Sequence, residues 1–224
     1  MTLRCFVICL SLMGAGSLAL AANPTNASAS CLGPSAAKTH VIYLHGMEAP
    51  QGASREEGQN RQVLEQLAGD LKLRVAMPRG PLCVGKGKHC WPAKNRNETL
   101  ATWQDIKTQA KACWSGDPTI TLIGFSNGGY FAWKLYKIHQ DSQLRHIIAS
   151  GSAGTWNPKQ DKANKLSSFH LMIGTKDITR KEAERLSQLV QRELPRFGFL
   201  TFAGGHRLDR ATLAELLGSW IETK

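Results

Sequence analysis

The sequence predicts an α/β protein, with about six strands in a mainly parallel sheet and helices on both faces. Three observations lead there. From residue 39 on, short apolar runs of strand length alternate with amphipathic stretches of helix length, the pattern of parallel strands joined by crossovers. The strongest apolar run, Thr119–Phe125, passes through a glycine-bracketed serine straight into a helical stretch. The polar residues with chemical potential cluster just after apolar runs, and in an open parallel sheet chemistry collects beyond the carboxyl ends of the strands.

The elements follow in order. Thr39–Leu44 reads as the first strand. Gln59–Leu71 reads as a helix with Val63, Leu64, Leu67, Ala68 and Leu71 on one face. Arg74–Met77 is a short strand stopped by Pro78, which can neither donate to a ladder nor continue it. Leu100, Trp103, Ile106, Ala110, Cys113 and Trp114 form a second apolar stripe. Residues 119–125 are a strand, 128–139 a helix and 145–150 a strand. Phe169–Ile173 is the next strand, and Ala183, Leu186, Leu189 and Val190 mark the helix after it. Gly198–Phe202 is the last strand, followed by a helix through Leu213, Leu216, Leu217, Trp220 and Ile221. Trp103, Trp114, Trp133 and Trp220 fall at helical spacings and are expected in the core.

Ahead of this lies a stretch of different character. Arg4 precedes an apolar run from Cys5, and Ala19-Leu20-Ala21 offers small residues at the −3 and −1 positions of a cleavage site. Residues 1–21 therefore read as a secretory signal peptide, too short and glycine-interrupted for a permanent anchor. Residues 22–38, rich in Ala, Ser, Asn and Pro, read as a loose N-terminal arm, and 39–224 as one domain.

The whole chain has 224 residues, 42% hydrophobic, which excludes a disordered tail, a collagen-like fibre and a disulfide-dense mini-protein. Its formal charge is +11, and losing Arg4 with the leader leaves +10 on the folded protein. That charge predicts affinity for anions of some kind. Export removes cytoplasmic nucleic acid as a partner. Four cysteines survive cleavage, Cys31, Cys83, Cys90 and Cys113, an even number that suggests two disulfides in an exported chain.

Gly124-Phe125-Ser126-Asn127-Gly128 is a G-x-S-x-G pattern in strand–turn–helix context, the setting that exposes a strained serine hydroxyl as a nucleophile. Such a serine needs a base and a group to orient that base. Two histidines lie downstream. His170 starts a strand, at the far end of the sheet, whereas His206 follows the last strand. Asp177 stands beyond the end of strand 169–173 and is the expected acid, with Asp161 as runner-up and Asp209 better placed as a helix cap. The expected oxyanion donors are the backbone N–H groups of Asn127 and of Met47, in the loop after the first strand. His45 is expected to brace that loop.

These residues resemble the α/β-hydrolases, most closely small carboxylesterases, acyl-protein thioesterases and dienelactone-hydrolase-like enzymes. The resemblance spans about 39–222. It rests on His45-Gly46, Gly-Phe-Ser-x-Gly-Gly at 124–129, Gly174-x-x-Asp177 and Gly205-His206. It implies a three-layer α/β-hydrolase fold without a cap domain and ester hydrolysis through an acyl-enzyme, with no cofactor. The loop Met77-Pro-Arg-Gly-Pro81 with Trp91 is similar to a loop that ends near substrate in that group, and Trp91 and Phe125 are the expected substrate contacts. The two strands that usually precede the first one are absent from the reading.

In that fold Cys31 would enter at the bottom edge of the sheet, where the helix bearing Cys113 ends, while Cys83 and Cys90 share one loop. The expected pairs are Cys31–Cys113 and Cys83–Cys90. Loop 80–97 holds Lys86, Lys88, Lys94 and Arg96 beside Arg79, and loop 155–167 adds Lys159, Lys162 and Lys165 against Asp161. Both should emerge at the catalytic edge, giving a basic rim suited to esters that are anionic or lie on an anionic surface.

Other motifs fail on chemistry. Gly80–Gly87 nearly spells a phosphate-binding loop but offers Gly87 where a hydroxyl must hold magnesium. Cys83 and Cys90 lack a matching second pair for a metal. Asn26-Ala-Ser28 and Asn97-Glu-Thr99 match glycosylation sequons. The expected protein is an exported, periplasmic or secreted serine hydrolase acting on a small-molecule, lipid or glycan ester. A thioesterase or peptidase would use the same parts, and a basic binding protein on a hydrolase scaffold is the reading from another class.

Overall fold

A computed structural model describes residues 29–222 apart from 53, 84, 139–140 and 162–166. The expected leader, residues 22–28 of the arm, Lys162 and Lys165 lie outside the described residues. Among the described residues are nine strands and five helices: β1 Ser30–Leu32, β2 Thr39–Leu44, α1 Arg55–Asp70, β3 Leu73–Met77, β4 Leu82–Cys83, β5 Lys88–His89, α2 Arg96–Ala110, β6 Ile120–Phe125, α3 Asn127–Ile138, β7 Leu144–Ser150, β8 Ser168–Gly174, α4 Arg180–Val190, β9 Phe197–Phe202 and α5 Arg210–Glu222. Seven strands form one sheet in the order β1-β3-β2-β6-β7-β8-β9, and β4 and β5 make a separate hairpin. All pairings in the large sheet are parallel except that of β1 with β3.

Two apolar layers sandwich the sheet, because strands buried on both faces send alternate side chains each way. On one side Trp103 and Ile106 of α2, Phe131, Ala132 and Leu135 of α3, and Ala183, Leu186 and Val190 of α4 pack on Ile42, Leu122, Ile147 and Leu171. On the other, Leu64 and Leu67 of α1 and Leu213 and Leu217 of α5 pack on Val41, Ile123, Ile148 and Met172. Each such fully buried leucine contributes about 2 kcal/mol of burial free energy. The first two helices start where short polar side chains satisfy the free amides of their first turn: Ser54 accepts the Glu57 N–H and Asn95 the Glu98 N–H, caps worth about 1 kcal/mol each. With the Ser54 cap α1 begins at Arg55, four residues before the expected start at Gln59.

The arm departs from expectation. Residues 30–32 form an edge strand, with Ser30 opposite Met77 and Leu32 opposite Val75. Cys31 therefore lies level with Ala76, toward the carboxyl end of β3, rather than below the sheet. It is bonded to Cys113, Cα to Cα 5.5 Å. Cys83 and Cys90, at 5.8 Å, are bonded across the base of the β4–β5 hairpin. Arg74 fastens the same edge, donating from its side chain to the carbonyls of Cys113 (2.9 Å) and Gly33 (2.5 Å). No helix among the described residues is long and apolar enough to cross a membrane.

Candidate active site

Ser126 sits at the end of β6 with φ +50°, the left-handed region that costs a non-glycine residue free energy unless its surroundings impose it. The surroundings do. A Cβ on Gly124 would fall 2.3 Å from the Gly128 carbonyl oxygen, and one on Gly128 would fall 2.3 Å from that of Leu44. Only glycines let the chain fold back this tightly. The Ser126 N–H donates to Ser150 O (2.8 Å) and its carbonyl accepts from the Tyr130 N–H (3.0 Å), so the backbone is tied while the side chain stays half-exposed.

His206 and Asp177 reach the same edge from the next strands. The loop 203–206 after β9 lies directly on Gly174 at the end of β8, where a Cβ would meet the Gly205 carbonyl oxygen at 2.4 Å. His206 Nδ1–H donates to Asp177 Oδ2 at 2.9 Å. The other carboxylate oxygen accepts from the Thr179 N–H (2.8 Å) and hydroxyl (2.9 Å). Burial raises the Asp177 pKa, but the hydrogen bonds from His206 and Thr179 outweigh it, and the carboxyl is held below its ordinary value. The anionic form thus fixes the imidazole with Nε2 facing away from it, available as a base. The His206 ring lies 4.8 Å from that of Phe125, the residue before Ser126, and a Cβ on Gly151 would come within 3.0 Å of it.

The loop after β2 completes the edge. A Cβ on Gly46 would lie 3.3 Å from Ser126 Cβ, so the backbone leading into Met47 passes beside the serine. Asn127 opens α3, where the first-turn amides have no intrahelical acceptor. His45 is buried and braces the loops: its Nδ1 bonds Gly46 O at 2.5 Å and its Nε2 accepts the Gly80 N–H at 3.0 Å. Burial lowers its pKa, in keeping with a neutral ring.

Trp91 and Phe125, expected at substrate, are each only 3% exposed. The Trp91 indole N–H is spent on His45 O (2.9 Å) and its backbone N–H on Asn127 Oδ1 (2.8 Å). Phe125 packs beneath the serine turn. Both belong to the scaffold of the edge here, and the large apolar side chains that reach solvent include Met47, 46% exposed, and Ile178, next to Asp177, 88% exposed. Asp161 is removed from the edge by its pairing with Lys137 (3.2 Å), and Asp209 accepts the Thr212 N–H and hydroxyl as a helix cap. Lys86, Lys88, Lys94, Arg96 and Lys159 are exposed. Arg79 is shared between Glu48 and the Pro50 carbonyl.

The sequence reading missed a buried polar network under the edge. Glu57 of α1 accepts the Gly46 N–H (2.5 Å) and the Tyr43 hydroxyl (2.7 Å). Asn60 donates to Tyr43 Oη (3.2 Å) and accepts the Leu208 N–H (2.8 Å). Burial raises the Glu57 pKa, and the hydrogen bonds from Gly46 and Tyr43 oppose this without cancelling it. Among the described residues no cluster of three or more His, Cys, Asp or Glu could hold a metal ion.

Neither a protein-family model nor a curated protein matches the chain in sequence. Solved structures do match in shape. A carboxylesterase of Bacillus cereus superposes with a TM-score of 0.57 at 17% identity, covering 89% of this chain and 96% of that one. Esterase PE8 gives 0.56 at 20% identity over 86% and 98%. The fluorophosphonate-binding serine hydrolase F of Staphylococcus aureus gives 0.53 at 14% over 83% of each. A mainly parallel seven-stranded sheet between two helical layers, shared with these enzymes over most of their length, establishes that the chain has the α/β-hydrolase fold.

Proposed function

We propose that the chain is an exported serine esterase. The observation that carries this reading is the meeting at one sheet edge of a strained Ser126 with a histidine locked onto a buried, ionised Asp177. His206 Nε2 takes the hydroxyl proton as Ser126 Oγ attacks the ester carbonyl. The tetrahedral oxyanion is met by the Asn127 and Met47 N–H groups. Collapse breaks the carbon–oxygen bond to the alcohol, which leaves with the proton from His206. Water, deprotonated by the same imidazole, then cleaves the acyl-enzyme and restores Ser126. The esterases among the solved neighbours favour ester over other acyl substrates. Two disulfides favour an oxidising compartment, consistent with export.

The test is labelling with a fluorophosphonate, with hydrolysis of chromogenic esters of graded chain length alongside. Wild type should label and turn over, and Ser126→Ala should do neither. Absence of labelling in folded wild type sinks the reading and favours a binding protein on this scaffold.

The substrate is proposed to be anionic or to lie on an anionic surface. Lys86 and Lys88 on the hairpin, Lys176 next to Asp177 and Arg207 next to His206 are all exposed, and among the described residues none pairs with a carboxylate. Rates on anionic and neutral esters of equal acyl length should diverge at low salt and converge at high salt. Equal salt dependence removes this preference.

A further inference from the structure

The two loops that frame Ser126 are held by two side chains of one helix. Glu57 and Asn60 lie three residues apart on α1, hence on one face, and both are buried, 5% and 0% exposed. Glu57 ends on the Gly46 N–H, one residue before the Met47 amide. Asn60 ends on the Leu208 N–H, two residues after His206. Tyr43 Oη joins them, donating to Glu57 and accepting from Asn60. Every side-chain polar atom of Glu57, Asn60 and Tyr43 is engaged by a neighbour in the network or by one of the two loops.

The usual place for Glu57 is elsewhere. Ser54-Arg-Glu-Glu57 has the spacing of a capping box, in which the glutamate turns back to the N-cap amide. Ser54 caps Glu57 N as that motif requires, yet the carboxylate points into the protein and takes a loop amide. An uncompensated buried carboxylate is costly, so its presence needs a return that a leucine would not give.

We propose that Glu57 and Asn60 are positioning residues for the hydrolytic site: through Tyr43 they act as one clamp that sets the oxyanion amide of Met47 and the imidazole of His206 at a fixed separation across Ser126. The proposal rests on the serine-hydrolase reading. Catalysis depends on donors and base held to a fraction of an ångström, and loops alone hold side chains less tightly than helices do. The clamp lends the rigidity of α1 to both loops at once.

The experiment measures kcat, KM, fluorophosphonate labelling rate and melting temperature for wild type, Glu57→Leu, Glu57→Gln, Tyr43→Phe and Asn60→Ala. Glu57→Leu removes the acceptor of the Gly46 amide and should lower kcat and labelling rate about 100-fold, the scale of losing one oxyanion donor, with KM within about two-fold. Glu57→Gln keeps an acceptor oxygen and should recover most of that loss. Asn60→Ala should slow labelling as well as turnover, since it frees the His206 loop. If Glu57→Leu does not fold, Tyr43→Phe, which cuts the link while leaving both grips, decides: the clamp predicts a several-fold drop in kcat at unchanged KM. Folded variants that turn over and label at the wild-type rate overturn the clamp and leave the hydrolase reading standing. A wild type that never labels overturns both, because there is then no reaction to position.

Discussion

The two edges of the sheet hold the same residue type in opposite circumstances. At the carboxyl edge His206 is partly exposed and donates to a buried carboxylate, on the same rim as the strained Ser126. At the amino edge His40, His146 and His170 are set among tryptophans: His146 stacks on Trp220 at 3.9 Å, His170 lies 5.3 Å from the same ring, and His40 meets Trp114 edge-on. Three histidines at one edge pack against tryptophans, and one at the other donates to a carboxylate. What separates them is that fixed anionic partner.

The comparison can be broken most decisively at the carboxyl edge. Ser126→Ala and Asp177→Asn should each lower kcat by about 10,000-fold without unfolding the protein, the asparagine because it no longer holds the imidazole in the useful tautomer. Steady-state rates with active-site titration check both, and a loss below ten-fold in Asp177→Asn denies the pair its role. Next in size, opening the Cys31–Cys113 bond by a double serine substitution should cost roughly 4 kcal/mol, since it closes a loop with a sequence separation of 82. Denaturant unfolding measures this, and kcat of the folded fraction should hold within about two-fold.

The smaller effects concern protons. Asp177 has a folded-state pKa below its ordinary value, so its contribution to stability is complete above about pH 4 and is lost as pH falls through the folded value. Wild type should lose stability there more steeply than Asp177→Asn, as melting temperatures between pH 2 and 5 will tell. His170 runs the other way in consequence. Burial lowers its pKa, so the unfolded chain binds its proton first and stability falls as pH drops through about 6.5. His170→Leu should shrink the difference in melting temperature between pH 8 and 5 while leaving kcat untouched. A change in kcat would mean that the amino edge communicates with the site.

The parts of this contrast that sequence made legible are those carried by local chain geometry. A serine between glycines after a run of β-branched residues must turn sharply. Gly174-x-x-Asp177 and Gly205-His206 carry the family resemblance, and in the structure those two glycines meet. Strand ends place all three on one edge once alternation establishes a parallel sheet. The illegible parts depend on partners distant in sequence. Ser30–Leu32 is too short to show alternation, and becomes a strand only because β3 offers an unpaired edge and Cys113 a bond. Glu57 falls ahead of the expected helix start at Gln59 and Asn60 outside its apolar face, and polarity alone does not say whether a polar atom meets water or a loop amide. Trp91 and Phe125 read as substrate contacts because an aromatic residue near a nucleophile suits either role. Trp91 is held in by His45 and Asn127, and Phe125 packs beside His206, partners that come from other segments.

The strand β1 has a practical corollary. It runs against its neighbour, so the described fold begins at Ala29 beside Met77, on the rim that bears Ser126, whereas the last helix brings Trp220 to the opposite rim, among the histidines. A surface or fusion partner attached through the C-terminus would leave the site facing outward. The same attachment made just ahead of Ala29 would stand at its doorway, and a comparison of the two immobilised forms would read out which way the molecule faces its substrate.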